Sequence, residues 1–548
     1  MRWIPAIFLL TVVTGFANGG HAVFGADETA TNQAQTAVKQ SPQETARLID
    51  AYFEHVWAEN HIVAALPADD AEFLRRIYLD LAGRIPSIAE ARSFLSDERP
   101  DKRELLVEEL LDGPAYVRHL TTVLRNSLIP QANSQAQFRS LIPGFEAWLW
   151  ERISKGTPYD QMAREIITTP VGNGQAGFGV LETASSPEAF FLVRELRPEN
   201  LATGTSRAFL GVRLDCAQCH DHPFDQWKQR QFWSLAAFYS GFSRPDADDG
   251  DGSPAVVAER PGVREITLPG SDEVVPASFL TSTSPNWDDV DSSAASVRRV
   301  LAEWVTAREN PWFAKMAVNR IWAQYFGRGI VHPIDDFSDA NPPSHPAVLD
   351  LLATQFILHD YDMRFLARTL TATRVYQLSS AQSHVGQQDE EMFARAALRG
   401  LTPEQFFDSL AEAVGYYQPF QSDNPFVLNT ESPRSRFLEL FRSESESPLH
   451  QETTILQALA MINGEFVATA TSLEDSLTLR AVADFPLMDD SERLEALFLA
   501  TFSRPPSEDE RTMFVEWVEG AESAEARRQR LGDVLWVLLN SSEFLLNH

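Results

Sequence analysis

Cysteine is scarce. The chain has two in 548 residues, which leaves room for one disulfide at most. Basic charge is short as well: 46 Lys and Arg stand against 77 Asp and Glu, and the net charge of −31 repels phosphate backbones and anionic lipid. A nucleic-acid partner is therefore not expected. Long apolar runs are missing too. The run at residues 4–17 is about 14 residues long, against the roughly 20 that a helix needs to span a bilayer, and no later stretch is longer. The hydrolase motifs G-x-S-x-G and H-E-x-x-H do not occur. The glycine-rich stretch 169–186 is followed by no G-K-[ST], so it reads as a surface loop rather than a phosphate cradle. No repeat recurs with a period of roughly 20 to 50 residues, which excludes a solenoid.

What is present begins with MRWIPAIFLLTVVTGFANGGHA. Arg2, the apolar run and the small residues Gly20 and Ala22 have the order of a cleavable secretory signal, expected over 1–22. The mature chain is then exported, to the periplasm or outside the cell, with no membrane span left. Residues 23–43 are polar and aperiodic, a flexible leader.

From residue 44 the apolar positions recur at helical spacing. Leu48, Ile49, Tyr52, Phe53, Val56 and Trp57 form one stripe. Gly83 ends a second helix, Ser87 with Glu90 and Thr402 with Gln405 write capping boxes, and the Gly113-Pro114 pair closes a fourth segment. Helices are expected over 187–194 and 198–211, then an aromatic one over 227–242. Strand-like alternation appears only at 263–280, where 263–268 and 273–275 read as a hairpin. The acidic run DADDGDGS before it lacks the register of a calcium loop and reads as solvated loop. The fold class is mainly α: a helical domain at 44–242, a loop and small hairpin at 243–293, and a second helical domain at 294–548.

The two cysteines fall together in LDCAQCHDHPFDQW. Cys216, Cys219 and His220 spell C-x-x-C-H, the attachment pattern of c-type haem, in which two thiols bond the porphyrin edge and the histidine ligates the iron. The same residues support other chemistry. With His222, they form a sulfur and nitrogen donor set suited to zinc or iron. The thiols alone fit a redox disulfide, a structural staple or an inert pair. Export separates none of these, since haem attachment and disulfides both belong outside the cytoplasm. His222 is too close to His220 to reach the opposite face of a haem, so the candidates for a distal ligand are Met162, Met316 and Met363, residues that also suit a core.

A second constellation gathers Asn319, Arg320, Trp322, His332, Asp335, Asp336 and His345 into a helix end and two loops. Carboxylates beside histidines suit acid and base work or a metal. The plainer expectation is an Arg320–Asp336 ion pair and a structural Asn-Pro-Pro turn. A third class of function is a structural or carbohydrate-associated module that uses some of the 12 tryptophans, although Trp57, Trp148 and Trp304 stand at core spacing.

Taken together, RRIYLDLAGRIPS, LGVRLDCAQCHDHPFDQW, NPWFAKMAVNRIWAQYFGRGIVHPIDDF, NPPSHPAVLDLLA and VLLNSSEFLLNH resemble the paired domains of unknown function of exported planctomycete proteins of cytochrome-C type. The resemblance runs from about residue 44 to the C-terminus. It implies an exported protein with a haem-c motif at Cys216, Cys219 and His220 and no established reaction. The motif behind a secretory signal itself suits electron transfer with a redox or surface partner. Asp221 and His222 lie in the same block. Many relatives carry Cys-x-Cys where this chain has Ser443, Glu444 and Ser445, which weakens a four-cysteine metal site but leaves haem attachment intact.

Overall fold

A computed structural model of the chain describes residues 38–171, 185–243, 258–288, 296–417, 432–441 and 472–548. The expected signal peptide, most of the leader, residues 172–184 of the glycine-rich loop, the acidic run and Ser443 to Ser445 lie outside the described residues. The fold is mainly α-helical, as the periodicity predicts. Among the described residues every sheet has two strands. The expected hairpin is β3 (Glu265–Thr267) against β4 (Val274–Pro276), with Ile266 opposite Val275. Two further pairs, β1 (Phe242–Ser243) with β2 (Ala258–Glu259) and β5 (Arg399–Gly400) with β6 (Leu546–Asn547), have no alternation in sequence. Among the described residues no helix is long and apolar enough to cross a membrane.

Helix starts follow local chemistry. Helix α1 (Pro42–Glu59) opens on a reciprocal cap between Ser41 and Glu44, with Pro42 in the first turn. The expected boxes at Ser87 and Thr402 are formed as well. Two helices end differently. Helix α2 (Asp70–Ile77) and helix α3 (Pro198–Thr205) each run into one wider π turn, Tyr78–Ala82 and Ser206–Leu210, and each turn is closed by a left-handed glycine, Gly83 or Gly211. Such turns bulge the backbone by one residue and are frequent near functional sites.

The cores do not divide at 243–293. Phe190 and Phe238 before that segment share one hydrophobic core with Trp322 and Phe356 after it, and a second core is built mainly from Leu401 onward. The reason is packing across the segment: α4 (Ser296–Val305) lies on the earlier helix Tyr159–Thr168. The buried Arg298 ties Glu259 to the carbonyl of Thr169. The two cores are joined through α2. Arg75, fully buried, donates to the carbonyls of Thr501 and Phe544 at 2.9 Å each, and Arg76 to those of Tyr376 and Leu378 at 2.6 and 2.8 Å. Asp80 takes both Arg399 contacts at 2.9 Å and accepts from Tyr376 and Asn547.

Candidate functional site

The stretch that carries the cysteines is positioned from both sides. On the entry side, the π turn ends at Gly211, whose φ is +69° and whose carbonyl accepts the Phe337 N–H at 2.8 Å. On the exit side is helix α5 (Gln229–Ala236), from which Trp233 Nε1 donates to the Gln218 carbonyl at 3.0 Å and Gln229 Nε2 to the Cys219 carbonyl at 2.9 Å. Between them residues Asp215–Gln218 form a short 3₁₀ turn pinned by the buried Ala217. The motif thus lies on a turn between the two helices where it is expected.

Cys216 and Cys219 are exposed, and their thiols are free rather than joined. His220 is exposed too, with Nδ1 2.8 Å from the Asp221 carbonyl. A carbonyl only accepts, so Nδ1 carries the proton and the lone pair is left on Nε2, the tautomer that ligates a metal. The Asp221 carboxylate is held below its ordinary range by the Gln229 N–H and the Lys228 ammonium. His222 is occupied differently: its N–H donates to the Trp227 carbonyl at 2.8 Å and its Nδ1 accepts from Phe224 N–H at 3.3 Å. Among the described residues no three His, Cys, Asp or Glu donors converge on a metal-sized centre. The donor set for zinc or iron at Cys216, Cys219, His220 and His222 is therefore not brought together; two free thiols and the His220 Nε2 are the groups that haem c attachment uses, and the cavity expected beside His220 is not lined by any of the three.

Beside the turn opens a cleft of about 580 Å³. Asp215 and Gln218 contribute to its wall, while Cys216, Cys219 and His220 do not. Arg194, Arg207, Arg213, Arg320, Met316 and Asp335 form much of the rest. Asp335 receives Arg207 Nε at 2.8 Å and Arg213 Nη2 at 2.5 Å. Burial works to raise its pKa, but the Arg213 hydrogen bond and the two guanidinium charges outweigh burial and hold the carboxyl below its ordinary range.

The second constellation assembles only in part: Arg320, His332 and Asp335 line the cleft, and Asn319, Trp322, Asp336 and His345 do not. The expected Arg320–Asp336 ion pair is not formed, because Arg320 lies on the buried side of α6 (Phe313–Phe326) and donates to the Tyr159 hydroxyl and the Ala208 carbonyl instead. Asn319 is structural: it exchanges hydrogen bonds with Val331 at 2.8 and 2.9 Å and so folds the following loop. His345 is buried among Tyr52 and Phe53, 2.7 Å from the Glu391 carbonyl, where burial lowers its pKa. Met162, Met316 and Met363 are all buried, and of these Met316 faces the cleft. Trp57 and Trp148 are core residues and Trp304 packs against the core, while Trp150 and Trp517 are exposed. Sequence reasoning missed Arg207 and Arg213 as partners of Asp335. Both precede the cysteines in sequence, but the carboxylate is 122 residues beyond Arg213 and nothing local points to it.

Residues 48–244 match the family model PSCyt2, a protein of unknown function (DUF1549), and residues 297–439 match PSD1, a protein of unknown function (DUF1553). No curated protein and no solved structure matches the chain. With both models present in this order, the chain belongs to the family that pairs these N- and C-terminal planctomycete cytochrome-C-associated domains of unknown function.

Proposed function

We propose that the chain is an exported protein that holds a c-type haem and serves electron transfer. The observation that carries this reading is the condition of Cys216, Cys219 and His220: two free, exposed thiols three positions apart on a turn, followed by an imidazole whose proton is fixed on Nδ1. Haem, when bound, supplies a one-electron redox centre. Cys216 and Cys219 would hold its edge and His220 Nε2 would bind its iron, while Trp233 and Gln229 keep the turn in place by gripping the Gln218 and Cys219 carbonyls. The signal-like residues 1–22 and the family's association with cytochrome C support export.

The test is spectroscopic. Expressed with its leader in a bacterial host that has a haem-attachment system, the chain is expected to keep a Soret band through denaturation and extraction with acidified organic solvent. Cys216→Ser should leave at most one thioether and weaken retention, and His220→Ala should keep the covalent haem while changing its spectrum. Wild-type protein that emerges colourless from that host ends the reading.

A further inference from the structure

Arg320 is buried, with 6% of its surface exposed, and forms part of the cleft wall. Nη1 donates to the Tyr159 hydroxyl at 3.3 Å and Nη2 to the Ala208 carbonyl at 2.8 Å, both neutral acceptors. Among the described residues no carboxylate forms an ion pair with it, and its buried Nε meets no acceptor. A guanidinium stays charged when buried, and a buried charge without a counter-charge is costly.

The charges around it nearly balance, so Arg320 is the one in excess. Arg194, Arg207 and Arg213 add three guanidiniums to the wall against Glu195, Asp215 and Asp335. Asp335 is shared between Arg207 and Arg213, and Glu195 reaches Arg197 at 3.4 Å. With Arg320 the wall holds four guanidiniums against three carboxylates, a slight positive excess in a chain of net charge −31. Its volume of about 580 Å³ lies in the range of small-molecule sites, and Phe138, Val193 and Met316 offer apolar wall for the body of a ligand.

We propose that this cleft binds a small organic oxyanion, a carboxylate or a phosphate or sulfate ester, with its charged end held by Arg320. Guanidinium and oxyanion match in charge and in planar hydrogen-bond geometry. The site is separate from the haem reading, since neither cysteine nor His220 lines the cleft.

Calorimetric titration of the mature chain with inorganic phosphate, inorganic sulfate and succinate, at ionic strength matched with chloride, tests it. At least one of the three is expected to bind saturably at one site, and the one that binds most tightly identifies the oxyanion class. Arg320→Met should weaken that binding at least about tenfold with the far-ultraviolet circular dichroism unchanged. Asp335→Asn removes one negative charge from the cleft wall and should tighten it several-fold, a readout that stands even if Arg320→Met fails to fold. No saturable binding of any probe overturns the proposal, as does binding that Asp335→Asn leaves unaltered or that a folded Arg320→Met retains in full.

Discussion

The imidazole of His119 lies so close to Gly83 that a methyl group on the glycine would come within 2.5 Å of its Nδ1. Nε2 is buried and, among the described residues, without a hydrogen-bond partner. Burial therefore pulls the pKa of His119 down to about 4, and the nearby Asp80 carboxylate offsets this only in part. In the unfolded chain the imidazole returns to an ordinary value of about 6.5. Between those values the unfolded chain binds a proton that the folded chain refuses, so stability is lost as pH falls from about 6.5 to about 4. Because His119 as a residue is only partly buried, the loss is on the order of 2 kcal/mol. His119→Leu should remove this share of the acid sensitivity, seen as a smaller difference between urea midpoints at pH about 7 and about 4.5. Equal differences in the variant and the parent would count against it. Asp335 acts in a lower window. Its depressed folded pKa gives stability that is full above the unfolded value of about 3.9 and is lost as pH falls through the folded one.

At the scale of elements, the π turn Ser206–Leu210 depends on its closing glycine. Gly211 has φ +69°, and a Cβ there would meet Phe337 at 2.6 Å and Met316 Sδ at 2.8 Å. Phe337 is buried and has little room to retreat, although Met316 borders the cleft. Gly211→Ala is expected to cost on the order of 2 kcal/mol from the left-handed backbone and the overlap together, measured by urea unfolding, and a neutral result would mean the turn relaxes freely. The sequence makes such elements legible unevenly. Capping at Ser87 and Thr402 and the helix stop at Gly83 are local signals and are read correctly, as is the hairpin at 265–276. The π turns are not legible, because their apolar spacing differs from that of an α-helix by a single residue. The pairing of Arg399–Gly400 with Leu546–Asn547 joins distant stretches of chain, and two residues are too few to show alternation. In the candidate site the chemistry of Cys216, Cys219 and His220 is visible in one short motif. The cleft beside it is not, since Arg207, Arg213, Arg320 and Asp335 meet only after the chain has folded.

For the whole molecule, sequence families and hydrophobic cores divide the chain in different places. The two family models meet across 245–296, yet residues matched by both contribute to one core, from Ile49 through Phe238 to Phe393. The second core belongs mainly to the C-terminal stretch, and Leu79 and Ile85 enter it from beside α2. Helix α2 and its π turn are thus shared structure, and RRIYLDLAG is the segment through which the cores are coupled. Arg75 supplies the coupling most directly, since its guanidinium meets the carbonyls of Thr501, Glu543, Phe544 and Leu546. Burial lowers its pKa to about 10, so it remains charged at neutral pH. Replacing it by methionine keeps most of the side chain's bulk and removes every donor. The carbonyls of Thr501 and Phe544 then lose their buried partner, at about 1–3 kcal/mol for each group left unsatisfied. Because these bonds cross from one core to the other, Arg75→Met should lower cooperativity as well as stability. Differential scanning calorimetry is expected to resolve two transitions in the variant, the lower one belonging to the C-terminal core. A single transition at the parent's temperature would show that the remaining links, the Asp80 hydrogen bonds to Arg399 and Asn547 and the apolar contact through Leu79 and Ile85, are enough to hold the cores together.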